Sequence, residues 1–92
     1  MSTSFHRALK IVNEKGLHAR ASAKLVEVVE GFDATAEVAR DGMSASGDSI
    51  MGLLMLAAAK GSTIEVQTSG PDAEALADAV EALVADRFGE DC

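Results

Sequence analysis

The sequence predicts an α+β protein in which one β-sheet carries helices on a single face. Residues 4–12 and 62–68 alternate apolar and polar side chains, as half-buried strands do. Apolar residues at helical spacing fill residues 18–30 and recur between Leu76 and Val84. The pair Asp41-Gly42, between two further alternating stretches, indicates a two-residue hairpin. We expect residues 1–92 to form a single domain.

The first part of the chain reads as a strand, a turn and a helix. In the strand, Leu9 and Ile11 share one face, and His6 lies on the opposite face, toward solvent. Residues 13–16 form the turn. The helix begins at His18 and runs to about residue 30, where Gly31 ends it.

The middle of the chain predicts the hairpin and a short, very apolar helix. Ser49 is a good N-cap, and Lys60-Gly61 is a good stop, so we expect a helix over residues 50–59. This helix is apolar almost all round, and a fold that buries one side must leave part of it exposed. The alternative is that the fold buries all of it. The residues concerned are Ile50, Met51, Leu54 and Met55.

A last strand and helix complete the order strand, helix, strand, strand, helix, strand, helix. Pro71 stands where the first turn of the last helix tolerates proline. Its buried stripe consists of Leu76, Val80, Leu83 and Val84. We expect residues 89–92 to fray.

Composition excludes several function classes. The net charge of −7 and the pI near 4.6 argue against a nucleic-acid binder and against anionic membrane surfaces. Cys92 is the one cysteine, and with only two histidines we expect neither a disulfide nor a metal site. The longest apolar run, residues 50–59, is far short of the ~20 residues that span a bilayer. We therefore expect a soluble, cytoplasmic protein.

The stretch Gly16-Leu17-His18-Ala19-Arg20 is the candidate functional site. His18 falls at the corner between strand and helix, where unpaired backbone N–H groups and the helix dipole favour an anion. The Arg20 guanidinium adds donors suited to phosphate. This combination makes sense if the imidazole itself carries a phosphoryl group. The alternative is that His18 is merely a polar residue near a helix cap.

Two separate segments resemble HPr, the histidine-containing phosphocarrier family of the bacterial phosphoenolpyruvate-dependent phosphotransferase system. One is the motif from Gly16 to Arg20, and the other is Asp48-Ser49-Ile50-Met51-Gly52-Leu53 followed by Ala59-Lys60-Gly61. The resemblance covers nearly the whole chain. It implies an open-faced β-sandwich of order β-α-β-β-α-β-α, with a four-stranded antiparallel sheet (order 1-4-2-3) and three helices on one face.

The resemblance also implies functional residues and partners. His18 matches the histidine that accepts a phosphoryl group on Nδ1 from enzyme I and passes it to enzyme IIA proteins, and Arg20 matches the active-site arginine. Ser49 matches a serine that HPr kinase/phosphorylase modifies in some members. Ile50, Met51 and Leu54 match apolar positions of the surface with which members of the family dock to their partners. We expect no cofactor and a monomer.

Two departures from the family pattern, and one competing function, stay open at this point. Ala21 and Ser22 stand where the motif commonly has Pro-Ala, and acidic Asp48 precedes Ser49 where sugar-transport members often have lysine. Together they favour the nitrogen-related or regulatory branch. The competing function is a regulatory module of the same fold that acts by docking rather than by phosphoryl flux.

Overall fold

The computed structural model describes residues 4–92, and its elements follow the predicted order with one addition, a 3-10 turn near the end. The strands are β1 (Ser4–Lys10), β2 (Thr35–Arg40), β3 (Met43–Ser46) and β4 (Thr63–Ser69). The helices are α1 (Ala19–Glu30), α2 (Ile50–Met55) and α3 (Ala73–Ala85), and the 3-10 turn is Arg87–Gly89. None of the helices in this part of the chain is long and apolar enough to cross a membrane.

The four strands form one antiparallel sheet in the order β1-β4-β2-β3. β4 pairs with both β1 and β2, so that Leu9 lies opposite Ile64, and Val38 lies opposite Val66. Long-range pairing therefore brings the first strand and the last strand to neighbouring positions. The α+β class and the order 1-4-2-3 are confirmed.

Alternation along the strands separates a buried sheet face from an exposed one. Ile64 and Val66 are buried, whereas Glu65 and Gln67 between them are exposed. His6 lies on the exposed face, as predicted. The buried face packs against the helices in one apolar core, whose fully buried members include Leu25, Val38, Leu53, Ile64, Leu76 and Val80.

The hairpin between β2 and β3 has the geometry that its sequence predicts. Asp41 and Gly42 both have positive φ, 50° and 81°, as a type I′ turn requires. Arg40 pairs with Met43 on either side of this turn.

The predicted helix over residues 50–59 is too long, since α2 ends at Met55 and Leu56 caps it. Ala57 then takes a left-handed conformation (φ 51°), which leads the chain away from the helix axis. The reason is a contact distant in sequence: the Ala58 carbonyl accepts a hydrogen bond from the Leu17 amide at 2.9 Å. Continued helix would have taken this carbonyl away from the corner before α1.

The expectation that residues 89–92 fray is wrong. Phe88 is fully buried, and it holds the end of the chain against the body of the protein. The Glu14 amide donates to the Cys92 carbonyl at 3.1 Å. The C-terminal segment (residues 87–92) is therefore an ordered part of the fold.

Candidate functional site

The corner before α1 depends on a glycine. Gly16 has φ +64°, and a β-carbon at this position would lie 2.4 Å from the Ala58 carbonyl oxygen and 2.9 Å from Ala59 Cα. Only glycine allows both the conformation and this close approach. The buried side chain of Leu17 and its amide bond to Ala58 then fix the direction in which the chain enters α1.

His18 is the N-cap residue of α1. Its backbone is extended (φ −80°, ψ −175°), and its carbonyl accepts from the Ser22 amide at 2.8 Å. Its ring Nδ1 accepts a hydrogen bond from the Arg20 amide at 3.3 Å. The lone pair of Nδ1 therefore points to the positive end of the helix, where the first N–H groups lack partners within the helix. The His18 side chain is 27% exposed, so an incoming group can reach it.

The other ring nitrogen of His18 faces a carboxylate. Nε2 lies within hydrogen-bond distance of Glu90 Oε2, and the second carboxylate oxygen, Oε1, accepts from Asn13 Nδ2 at 2.8 Å. The pKa of Glu90 lies below its ordinary value because the Asn13 amide and the His18 ring donate hydrogen bonds to the charged carboxylate. Because Nδ1 accepts an amide proton and Nε2 faces a carboxylate, the neutral ring carries its proton on Nε2.

The C-terminal segment holds Glu90 in place. Arg87 and Phe88 both have left-handed backbones, with φ of 56° and 54°, which is uncommon outside glycine. Lys24 Nζ, from α1, donates to the Phe88 carbonyl at 2.7 Å. The Glu90 amide donates to the Arg87 carbonyl at 3.0 Å, which closes the turn. These bonds bring the Glu90 side chain, only 13% exposed, onto the imidazole.

Arg20 lies beside the ring and is exposed. Its guanidinium makes no hydrogen bond or ion pair with the other residues of 4–92, so its donors are available to a ligand. A groove of about 300 Å³ lies alongside, and its lining includes Lys15 and Lys24 as well as the carboxylates of Glu14 and Glu90. The corner thus combines an accessible ring nitrogen, a helix N-terminus and a guanidinium, which is an arrangement suited to a phosphoryl group.

The first departure from the motif, Ala21-Ser22, has a clear place in the structure. Ala21 is fully buried, and its N–H donates to none of the backbone or side-chain groups described. Ser22 is also buried, and its hydroxyl donates to the Leu17 carbonyl at 3.3 Å. The residue that replaces the usual alanine therefore strengthens the corner before His18.

Ser49 and the apolar surface that follows it lie on α2, which packs against α1. Ser49 caps α2, since its hydroxyl accepts from the Gly52 amide at 3.1 Å. Met51 is 72% exposed, Met55 73% and Ile50 40%, whereas Leu54 is half-buried. The prediction that the fold leaves part of this helix uncovered is confirmed.

Sequence reasoning missed Glu90 and Asn13. Asn13 reads as an ordinary turn residue, and Glu90 lies in a polar stretch that predicts fraying. The one signal for the second residue is Phe88, a lone aromatic residue in that stretch, because a large apolar side chain there needs a buried site.

An open-faced antiparallel sheet with an accessible histidine at a helix N-terminus defines a class of small α+β proteins whose exposed corner suits a phosphoryl group. A family model described as "PTS HPr component phosphorylation site" matches residues 5–86. The chain belongs to the HPr family of phosphocarrier proteins. This membership favours the phosphocarrier role over a module that acts by docking alone.

Relatives and solved structures agree with this assignment. The chain is 48% identical over 84 residues to the phosphocarrier protein HPr of Cupriavidus necator, covering 91% of this chain and 94% of that protein. It is 43% identical over 86 residues to the phosphocarrier protein NPr of Escherichia coli K12, covering 92% and 96%. A crystal structure of HPr from Thermoanaerobacter tengcongensis superposes with a TM-score of 0.91 at 30% identity, covering 96% and 99%. A dimer of HPr from the same organism gives 0.75 at 32% identity, covering 89% and 94%.

Proposed function

We propose that His18 is the residue that carries the phosphoryl group, and that Nδ1 is the atom to which it is attached. The observation that carries this proposal is the orientation of the ring: Nδ1 holds the lone pair and faces the α1 N-terminus, while Nε2 faces Glu90. His6, the second histidine, lies on the exposed sheet face and pairs with Glu65 at 3.4 Å. It has neither a helix N-terminus nor a free guanidinium beside it.

The transfer is an in-line displacement at phosphorus. The Nδ1 lone pair of His18 attacks, the new P–N bond forms, and the bond from phosphorus to the donor breaks with its electron pair remaining on the donor. The amides at the start of α1 and the Arg20 guanidinium compensate the charge on the phosphoryl oxygens. In the onward step the same P–N bond breaks as an acceptor attacks.

The partners are those of the phosphotransferase system, with enzyme I as donor and enzyme IIA proteins as acceptors. The docking surface, defined as Ile50, Met51 and Leu54, meets both in turn. Methionine adapts its shape to different surfaces, which suits one site that serves successive partners. The protein acts as a cytoplasmic monomer without a cofactor, and it binds no nucleic acid.

Ser49 is the position at which HPr kinase/phosphorylase would regulate the transfer. A phosphate at this serine would add charge at the edge of the docking surface and weaken apolar contacts there. Asp48 precedes Ser49 and is exposed, so its carboxylate opposes a second negative charge. This repulsion, together with Ala21, favours the nitrogen-related or regulatory branch of the system.

The decisive experiment is to incubate the protein with phosphoenolpyruvate and enzyme I and to locate the phosphate by mass spectrometry. We expect one acid-labile phosphoryl group on His18 in the wild type and in His6→Gln, and none in His18→Gln. His6→Gln is the matched control, since it removes the other imidazole. Acid-labile phosphorylation of His18→Gln would overturn the assignment.

A further inference from the structure

We propose that Glu90, held by Asn13, is a positioning residue for phosphoryl transfer: it accepts the Nε2 proton of His18 and compensates the charge that the ring acquires. The inference rests on the proposed role of His18 as acceptor. It extends the site from the corner before α1 to the other end of the chain.

The first argument is the charge balance of the reaction. A neutral ring protonated on Nε2 attacks through Nδ1, and the product ring then carries a positive charge while Nε2 keeps its proton. A carboxylate in contact with Nε2–H stabilises this charge as it develops. The same contact keeps the proton on the phosphorylated ring, and a protonated phosphoimidazole gives up its phosphoryl group readily. Glu90 therefore assists both acceptance and onward transfer.

The second argument is the orientation of Asn13. This side chain is fully buried, and its Nδ2 donates to both the Gly16 carbonyl (2.9 Å) and Glu90 Oε1 (2.8 Å). Its Oδ1 is left without a hydrogen-bond partner among the residues described, which is unusual for a buried atom. If the Asn13 amide were flipped, Oδ1 would face the Gly16 carbonyl oxygen and Glu90 Oε1, and neither of these can donate a hydrogen bond to it. In the observed orientation, the Asn13 amide therefore donates to Glu90 while its own Oδ1 stays without a hydrogen bond among the residues described.

The third argument is the structure of the C-terminal segment. Buried Phe88, two left-handed residues and the bond from Lys24 to the Phe88 carbonyl determine where Glu90 lies. Unusual backbone conformations of non-glycine residues cluster at functional sites. The neighbouring Asp91 is exposed, so one carboxylate of the pair is directed at the ring and the other is not.

The test compares Glu90→Gln and Glu90→Ala with Asp91→Asn, which removes the same charge one residue further along. Nitrogen-15 NMR of the unphosphorylated protein at mildly alkaline pH reports the Nε2–H proton of His18. We expect a protected Nε2–H signal in the wild type and in Asp91→Asn. In Glu90→Ala the signal should be lost to exchange with water, and in Glu90→Gln it should weaken.

The kinetic arm measures phosphorylation by enzyme I. We expect kcat to fall about tenfold or more in both Glu90 variants, as for the loss of a charge-assisted hydrogen bond, with KM for the carrier unchanged. Asn13→Ala should shift both readouts in the same direction by a smaller amount. Thermal unfolding of each variant shows whether the fold persists.

An unchanged Nε2–H signal and unchanged kcat in the Glu90 variants would overturn the inference, as would an equal loss in Asp91→Asn. If the wild type accepted no phosphoryl group on His18, the proposed function would fall. The NMR arm would still show whether Glu90 holds the ring.

Discussion

The Leu17 amide donates a hydrogen bond to the Ala58 carbonyl, and this bond joins the corner before α1 to the segment that follows α2. The histidine and the proposed docking surface belong to different parts of the chain. Their relative position therefore depends both on the packing of α2 against α1 and on the backbone contacts around Gly16.

Replacement of Gly16 by alanine tests this junction. The new β-carbon would lie 2.4 Å from the Ala58 carbonyl oxygen, and the backbone would keep φ +64°. We expect a loss of more than about 2 kcal/mol in the free energy of unfolding, since steric overlap adds to the left-handed penalty. Gly42→Ala is the matched control, because that glycine has φ +81° and nothing within 4 Å of the added carbon. If urea unfolding showed equal losses of unfolding free energy in Gly16→Ala and Gly42→Ala, steric overlap at Gly16 would be contradicted.

Replacement of Ala21 by proline restores the residue that the family motif commonly has. The Ala21 amide donates to none of the described groups, so no bond is lost. The first turn of a helix accepts proline, and the unfolded chain loses freedom. We expect the free energy of unfolding to rise by about 0.4–1 kcal/mol. If chemical denaturation showed a lower free energy of unfolding in Ala21→Pro, the start of α1 would be adapted to alanine.

The docking surface is tested by Met51→Asp. Because Met51 is 72% exposed, its replacement should leave the melting temperature nearly unchanged. A charge in an apolar interface should raise KM for the carrier in the enzyme I reaction about tenfold, with little change in kcat. Ala75→Asp, at an exposed position of α3, adds the same charge elsewhere and should behave as wild type. If both variants raised KM equally, the effect would be one of net charge.

Ser49 has two separable roles, as the cap of α2 and as the proposed regulatory site. Ser49→Ala removes the hydroxyl that accepts from Gly52 and should lower the free energy of unfolding by about 1 kcal/mol. Ser49→Asp retains a capping oxygen and should cause a smaller loss. Phosphoryl transfer should be slowed in Ser49→Asp and nearly normal in Ser49→Ala. Unchanged rates in Ser49→Asp would contradict regulation by charge at this position.

Stability should depend on pH through Glu90. Its pKa is lowered in the folded protein from an ordinary value of 4.5, with Asn13 and His18 donating to it and Lys15 adding positive charge. The charged carboxylate therefore stabilises the fold above about pH 4.5, and this contribution disappears as the pH falls through the lower, folded value. The difference in unfolding free energy between wild type and Glu90→Gln should be largest near neutral pH and should vanish in strong acid. Urea unfolding across this range measures it, and Asp91→Asn should show a much smaller dependence.

Local signals predicted most of the fold. The hairpin turn is determined by Asp41-Gly42, the start of α2 by the Ser49 cap, and the strands by the alternation of apolar and polar residues. Each of these features therefore follows from residues close together in sequence. The predictions for the end of α2 and for the C-terminal segment were wrong for one shared reason. In both places, contacts with residues distant in sequence override the local preference. The Ala58 carbonyl accepts a hydrogen bond from the Leu17 amide, and the Phe88 side chain packs into a core whose other residues lie earlier in the chain. The motif places His18, but nothing near it in sequence predicts the contact with Glu90.

His18 and Glu90 are 72 positions apart, and this separation has a consequence for biosynthesis. The ribosome adds the imidazole 72 residues before its carboxylate partner. A nascent chain, or a product clipped just after Val84, can therefore display the histidine without the group that faces Nε2. Only a chain that includes Glu90 presents the ring with a carboxylate at Nε2, so a partner that binds this arrangement also distinguishes such chains from shorter ones.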